Sequence, residues 1–99
     1  MPIMPIYLAI PLKDNDKELA ASVARNIPSP TDSHVLQNNK GWLVKFDGTT
    51  IELCNKLEIT GQDQGQSSPV GSCLVVPVNS YYGRGPTDMW EWLEIRSDE

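Results

Sequence analysis

Trp42-Leu43-Val44-Lys45-Phe46-Asp47-Gly48-Thr49-Thr50-Ile51-Glu52-Leu53-Cys54-Asn55-Lys56-Leu57 is the stretch on which the fold turns. Its first five residues alternate. Trp42, Val44 and Phe46 share one face of a strand, and Leu43 and Lys45 share the other. The first face is expected to meet helices. Asp47-Gly48 closes the strand. Thr49, followed three residues on by Glu52, forms a capping box that starts a helix, and Ile51, Leu53, Cys54 and Leu57 run through it. Gly61 suits the C′ position that ends it.

Upstream, His34-Val35-Leu36-Gln37 reads as an antiparallel partner strand, with Asn38-Asn39-Lys40-Gly41 as the turn. Earlier still, Ile6-Tyr7-Leu8-Ala9-Ile10-Pro11-Leu12 is nearly all apolar, as in a central strand, and its pairing should stop near Pro11, which lacks a donor. Asp14-Asn15-Asp16 supplies helix-start chemistry, with Asn15 as N-cap and Glu18 completing a capping box. Leu19, Ala20, Val23, Ala24 and Ile27 fall on one helical face. Pro28 ends that helix and Ser29-Pro30-Thr31-Asp32 is a turn. Downstream, residues 62–68 are polar and read as a mobile linker. Cys73-Leu74-Val75-Val76-Pro77-Val78 is the fourth strand, placed at an edge by Pro77.

The order is β-α-β-β-α-β followed by a tail. That predicts an α+β, ferredoxin-like sandwich: a four-stranded antiparallel sheet with two helices on one face and two right-handed crossovers. Residues 89–95 alternate well enough for a fifth strand, yet Thr87-Asp88 can cap a short helix, which is the preferred reading. The 99 residues form a single domain, with 79–99 as a tail extension. Met1-Pro2-Ile3 is repeated as Met4-Pro5-Ile6, so translation is also compatible with a start at Met4, and residues 1–4 carry no structural weight.

A domain of this size buries roughly 60–70% of its chain surface, so the core is modest and homodimerisation is a natural supplement. The formal net charge of −5 argues against broad binding to nucleic-acid backbones, while leaving room for a local basic spot. Neither a signal peptide nor a membrane helix is legible, which makes a cytoplasmic protein the expectation. Cys54 and Cys73 sit in apolar surroundings and read as buried reduced thiols, with a disulfide as the minor alternative. With His34 as the single histidine, the ligand set of a zinc site is missing. No cofactor or metal is expected.

Ile6-Tyr7-Leu8, Trp42-Leu43-Val44, Thr49 with Glu52 and Leu57, and the Tyr82…Asp88…Trp90 tail together resemble small bacterial ferredoxin-like proteins labelled SinR-like. These are distant relatives of the small CRISPR-associated endonuclease subunit. The resemblance implies the same fold and spans most of the chain through its hydrophobic pattern. The nuclease subunits carry an aspartate at the end of strand one for metal-dependent phosphodiester hydrolysis. This chain has Ile10-Pro11-Leu12 there, so nuclease activity is not carried over.

Asp14 and Asp16 suit Mg²⁺ as paired carboxylates, but they also simply begin a helix, where negative charge favours the dipole. His34 has no nucleophile or orienting partner in view. No nucleophile elbow, P-loop or dinucleotide fingerprint is present, and no catalytic residue is assigned. The specialised segment is the tail, which holds four of the seven aromatic residues. Tyr81, Tyr82, Trp90 and Trp92 offer stacking faces, and Arg84 a bidentate donor for carboxylate or phosphate. These five residues are the candidate ligand- or partner-binding set. The expected function is a non-enzymatic, dimeric binding or interaction module with a possible protein partner. The alternatives are a metal-dependent nuclease or phosphodiesterase, and a small-ligand sensor that uses the aromatic tail.

Overall fold

The computed structural model describes residues 5–27, 29, 31–78, 84 and 87–97. Strands β1 (Ile6–Pro11), β2 (Ser33–Val35), β3 (Trp42–Lys45) and β4 (Cys73–Pro77) alternate with helices α1 (Asp16–Asn26), α2 (Thr50–Lys56) and α3 (Thr87–Ser97) in the order β1-α1-β2-β3-α2-β4-α3. The fold is α+β, with one antiparallel sheet of order β2-β3-β1-β4. Among the described residues no helix is long and apolar enough to cross a membrane.

Strand alternation divides the sheet into two apolar faces. Tyr7 and Ala9 of β1, Trp42 and Val44 of β3 and Val75 of β4 point to one side. There they pack with Leu19, Val23 and Ile27 of the α1 segment and with Leu53 and Leu57 from α2 and its end. Phe46 joins this face as expected, edge-on to Tyr7 with ring centroids 6.5 Å apart. Ser22 on α1 donates to the Leu57 carbonyl and so ties the two helices together.

The other face carries Ile6 and Leu43, covered by Trp92 and Leu93 of α3, with Leu8, Leu36, Val78, Met89 and Trp90 packed around them. Residues 89–95 are therefore helical rather than a fifth strand, and α3 closes the side of the sheet that α1 and α2 leave open. Its cover is partial. Leu12 and Leu74 remain 57% and 47% exposed.

The prolines sit where the ladder does not need their missing donors. Val78 N–H donates to Ile6 O and Leu12 N–H to Ser72 O, so the even residues of β1 turn their backbone groups toward β4. Pro11 turns its nitrogen toward β3, where pairing has already ended at Ala9–Trp42. By the same alternation Pro77 faces the outer edge of β4.

Two local expectations are corrected. Asn15 precedes α1, but its side chain makes no capping hydrogen bond. It is buried instead, with Nδ2 donating to Val70 O and Ser72 O, both at 2.9 Å, while Oδ1 accepts from Lys13 N. The long-range tie wins because the loop entering β4 would otherwise bury the Val70 carbonyl without this donor, whereas Ser72 O also accepts from Leu12 N–H. Gly71 in that loop has φ +91°, and a Cβ there would come within 3.3 Å of Asn15 Nδ2.

Gly61 is not the C′ residue of α2. That position is taken by Glu58 at φ 66°, with Glu58 N–H on Asn55 O and Ile59 N–H on Cys54 O, a Schellman arrangement. Burial of Leu57 at the helix end fixes the register, and Arg25 pairs with the Glu58 carboxylate. The capping box at the other end of α2 is as read: Glu52 N–H donates to Thr49 Oγ1, and Thr49 N–H to Glu52 Oε1. In the segment read as a linker, Ser68 and Gln62 both donate to Glu58 O.

Candidate functional site

β2 and β3 pair His34 with Leu43, so alternation sends the imidazole to the face that α3 covers. α3 starts beside it. Asp88 and Trp92 are four residues apart and therefore lie on one side of the helix. Asp88 Oδ2 is 3.7 Å from His34 Nε2, and the Trp92 ring centroid is 6.1 Å from the imidazole at a 37° tilt. The carboxylate is largely exposed, so this contact is a weak ion pair, formed only when His34 is protonated.

The β2–β3 connection brings Lys40 to the same place. It turns through Asn38 and Asn39, both at positive φ, which asparagine tolerates better than most residues. Arg84 approaches from the segment preceding α3. The result is a cleft of about 580 Å³. Val35, Leu36 and Met89 give it apolar walls, Lys40, Arg84 and Asp88 give it charge, and His34 adds an imidazole. Chemically it suits an elongated group with apolar surface and a negative charge: the guanidinium can grip a carboxylate or phosphate bidentately and the ammonium can add a point charge.

The sequence-derived candidates separate here. Arg84 is exposed at the cleft. Trp92 is buried between α3 and the sheet, and Trp90 is half-buried on the same cluster. Tyr81 and Tyr82 lie outside the described residues. His34, Lys40, Asp88 and Met89 belong to the cleft but were not in the candidate set. His34 carried a usable signal, because the alternation that separates Leu43 from Trp42 also puts its cross-strand neighbour on the Leu43 face. The docking of α3 on that face had no such signal.

Elsewhere the titratable groups have structural settings. Cys54 and Cys73 are free, half-buried thiols packed against the first core. Burial pushes both upward. For Cys73 the Asn15 hydrogen bond pulls the other way, and the nearby Cys54 adds to the rise. Both thiols are thereby poor nucleophiles. Asp14 is exposed, and Asp16 accepts from Asn39 Nδ2 at 3.4 Å. Among the described residues no three of His, Cys, Asp and Glu come together in a way that would hold a metal ion.

No protein-family model matches the chain, and neither the curated proteins nor the solved structures contain a match.

Proposed function

We propose that this chain is a cytoplasmic ferredoxin-like binding module, non-enzymatic, which engages another macromolecule through the cleft between β2 and α3. The element order and the strand order β2-β3-β1-β4 are compatible with that architecture. One observation carries the functional reading. On a chain of net charge −5, this cleft gathers Lys40 and Arg84, with His34 beside them, around apolar walls, and among the described residues lining it the one carboxylate is that of Asp88. A local reversal of charge beside apolar surface is how a protein steers and then holds an oppositely charged partner.

The test is capture from lysate by immobilised wild-type protein and by a Lys40→Glu, Arg84→Glu double variant of equal melting temperature. A partner retained by the first and released by the second supports the reading. Equal capture by both moves the contact elsewhere.

A second reading adds a homodimer. Leu12 and Leu74 stand exposed at the end of the second face that α3 does not cover, next to half-buried Ile10. Burying such a patch against another copy would supplement a small core. Light scattering should then report a dimer that Leu74→Glu converts to monomer. A wild-type monomer would remove the homodimer and leave the cleft reading untouched.

A further inference from the structure

We infer that the cleft is half of a strand-addition site, and that its ligand is an extended peptide in which acidic and apolar residues alternate. The inference rests on the reading of the cleft as the binding site and specifies what enters it.

The argument starts from β2, an edge strand of the sheet. Lys45 N–H donates to Asp32 O and Leu36 N–H to Gly41 O, so the even residues of this segment turn their backbone groups toward β3. Ser33 and Val35 therefore turn theirs outward, offering two N–H and two C=O groups along the open edge. Among the described residues no strand pairs with that side. An added strand antiparallel to β2 would follow the only pairing mode this sheet uses, and main-chain hydrogen bonds would supply its affinity.

Specificity comes from what lies on each side of the edge. On the α3 side is the basic cleft, where Lys40 and Arg84 outnumber the carboxylate of Asp88, which lies beside His34. On the α1 side is a second groove of about 390 Å³, lined by Ala20, Val23, Ala24 and Ile27 of the α1 segment with Val35 and Trp42. Among the described residues lining that groove none is charged. Val35, 48% exposed, borders both.

Side chains of an added strand alternate between these two sides. Residues opposite Ser33 and Val35 would enter the apolar groove, and the residue opposite His34 would enter the basic cleft. The complementary sequence is apolar-acidic-apolar. Neither groove alone dictates that order. The strand between them does.

The experiment uses fluorescently labelled, end-capped pentapeptides and the full chain. The peptides are Val-Glu-Val-Glu-Val, its lysine counterpart Val-Lys-Val-Lys-Val, and the glutamate peptide with its valine amides N-methylated. Anisotropy should show the glutamate peptide binding at least about tenfold tighter than the lysine peptide, with the Lys40→Glu, Arg84→Glu variant erasing the difference. N-methylation should abolish binding, and the Ser33 and Val35 amides should be the ones that gain protection from hydrogen exchange.

Binding of the glutamate peptide that ignores N-methylation would overturn strand addition while leaving the cleft as the site. No binding of any peptide would also overturn strand addition. Loss of the cleft reading would then require, separately, capture of partners that is indifferent to the charge reversal. Displacement of the peptide by a single-stranded oligonucleotide that binds more tightly would overturn the peptide assignment in favour of phosphate recognition. A peptide-free dimer with Ser33 and Val35 already protected would assign the edge to a second copy of the chain instead.

Discussion

The two faces of the sheet are built to different standards. One is sealed by two helices that are tied to each other through Ser22 and Leu57, and its central side chains are wholly buried. The other is covered by one helix that leaves Leu12 and Leu74 in solvent and opens a cleft at its amino-terminal end. The contrast teaches where specialisation fits in a small domain. A face carrying most of the core keeps only an apolar groove at its β2 rim. A face closed by a single added helix keeps an apolar, partly wet margin in which charged groups can be set.

The most severe way to test that contrast is to remove the side chain that anchors the lone helix. Trp92→Ala should cost about 3–5 kcal/mol, as for other large buried aromatic deletions, measured by urea denaturation. A loss below about 1 kcal/mol would mean that α3 is only loosely seated and that the second face hardly contributes. Leu53→Ala in the first core should cost about 2–5 kcal/mol, and it should leave binding at the cleft intact in the fraction that remains folded.

Asn15→Ala sharpens the comparison on the first face. It takes the side-chain donor from the buried Val70 carbonyl and one of two donors from Ser72 O, and should cost about 1–3 kcal/mol by thermal or urea melts. If Asn15 acted merely as an exposed helix cap, Asn15→Ser would restore the loss. Serine is too short to span to β4, so the structure requires that it does not.

The smallest effects lie at the amino terminus of α2. Thr49→Ala should cost about 0.5–2 kcal/mol. The hydrogen bond from Thr49 N–H, and then that with its side chain, hold the Glu52 carboxyl below its ordinary value of 4.5. The stability it contributes is therefore present above that value and disappears as pH falls through the lower folded value. The gap between wild type and Glu52→Ala should narrow on acidification from neutral pH. A gap that is constant with pH would separate the capping box from the charge.

These differences also explain what was legible in the sequence. Trp42, Val44 and Phe46 alternate against Leu43, and Thr49 with Glu52 announces α2, because strand period and capping are local properties. The first face could be assembled from such signals. The second could not. Residues 89–95 alternate like a strand and are capped like a helix, and the choice is made by Trp92 and Leu93 finding Ile6 and Leu43, a contact more than forty residues distant in sequence. Asn15 was misread for the same reason. Its neighbours look like a cap, while its partners at Val70 and Ser72 lie some fifty-five residues away. Glu58 in a left-handed conformation is unreadable in principle from residue type, since glycine was available at position 61. Of the cleft, Arg84 was named from its chemistry. Lys40, His34 and Asp88 become neighbours in the cleft only through the register of β2 on β3 and the seat of α3.

Pro77 has a consequence for assembly. A sheet that is receptive along both edges can recruit copy after copy and grow without limit. Here the outer rim of β4 lacks one donor in its row, whereas the rim of β2 is intact but only three residues long. If β2 accepts a strand as proposed, the β4 rim is the poorer of the two edges for a further one. A proline in the outer row of β4 thus works against edge-to-edge growth, leaving the short β2 rim as the better-formed edge.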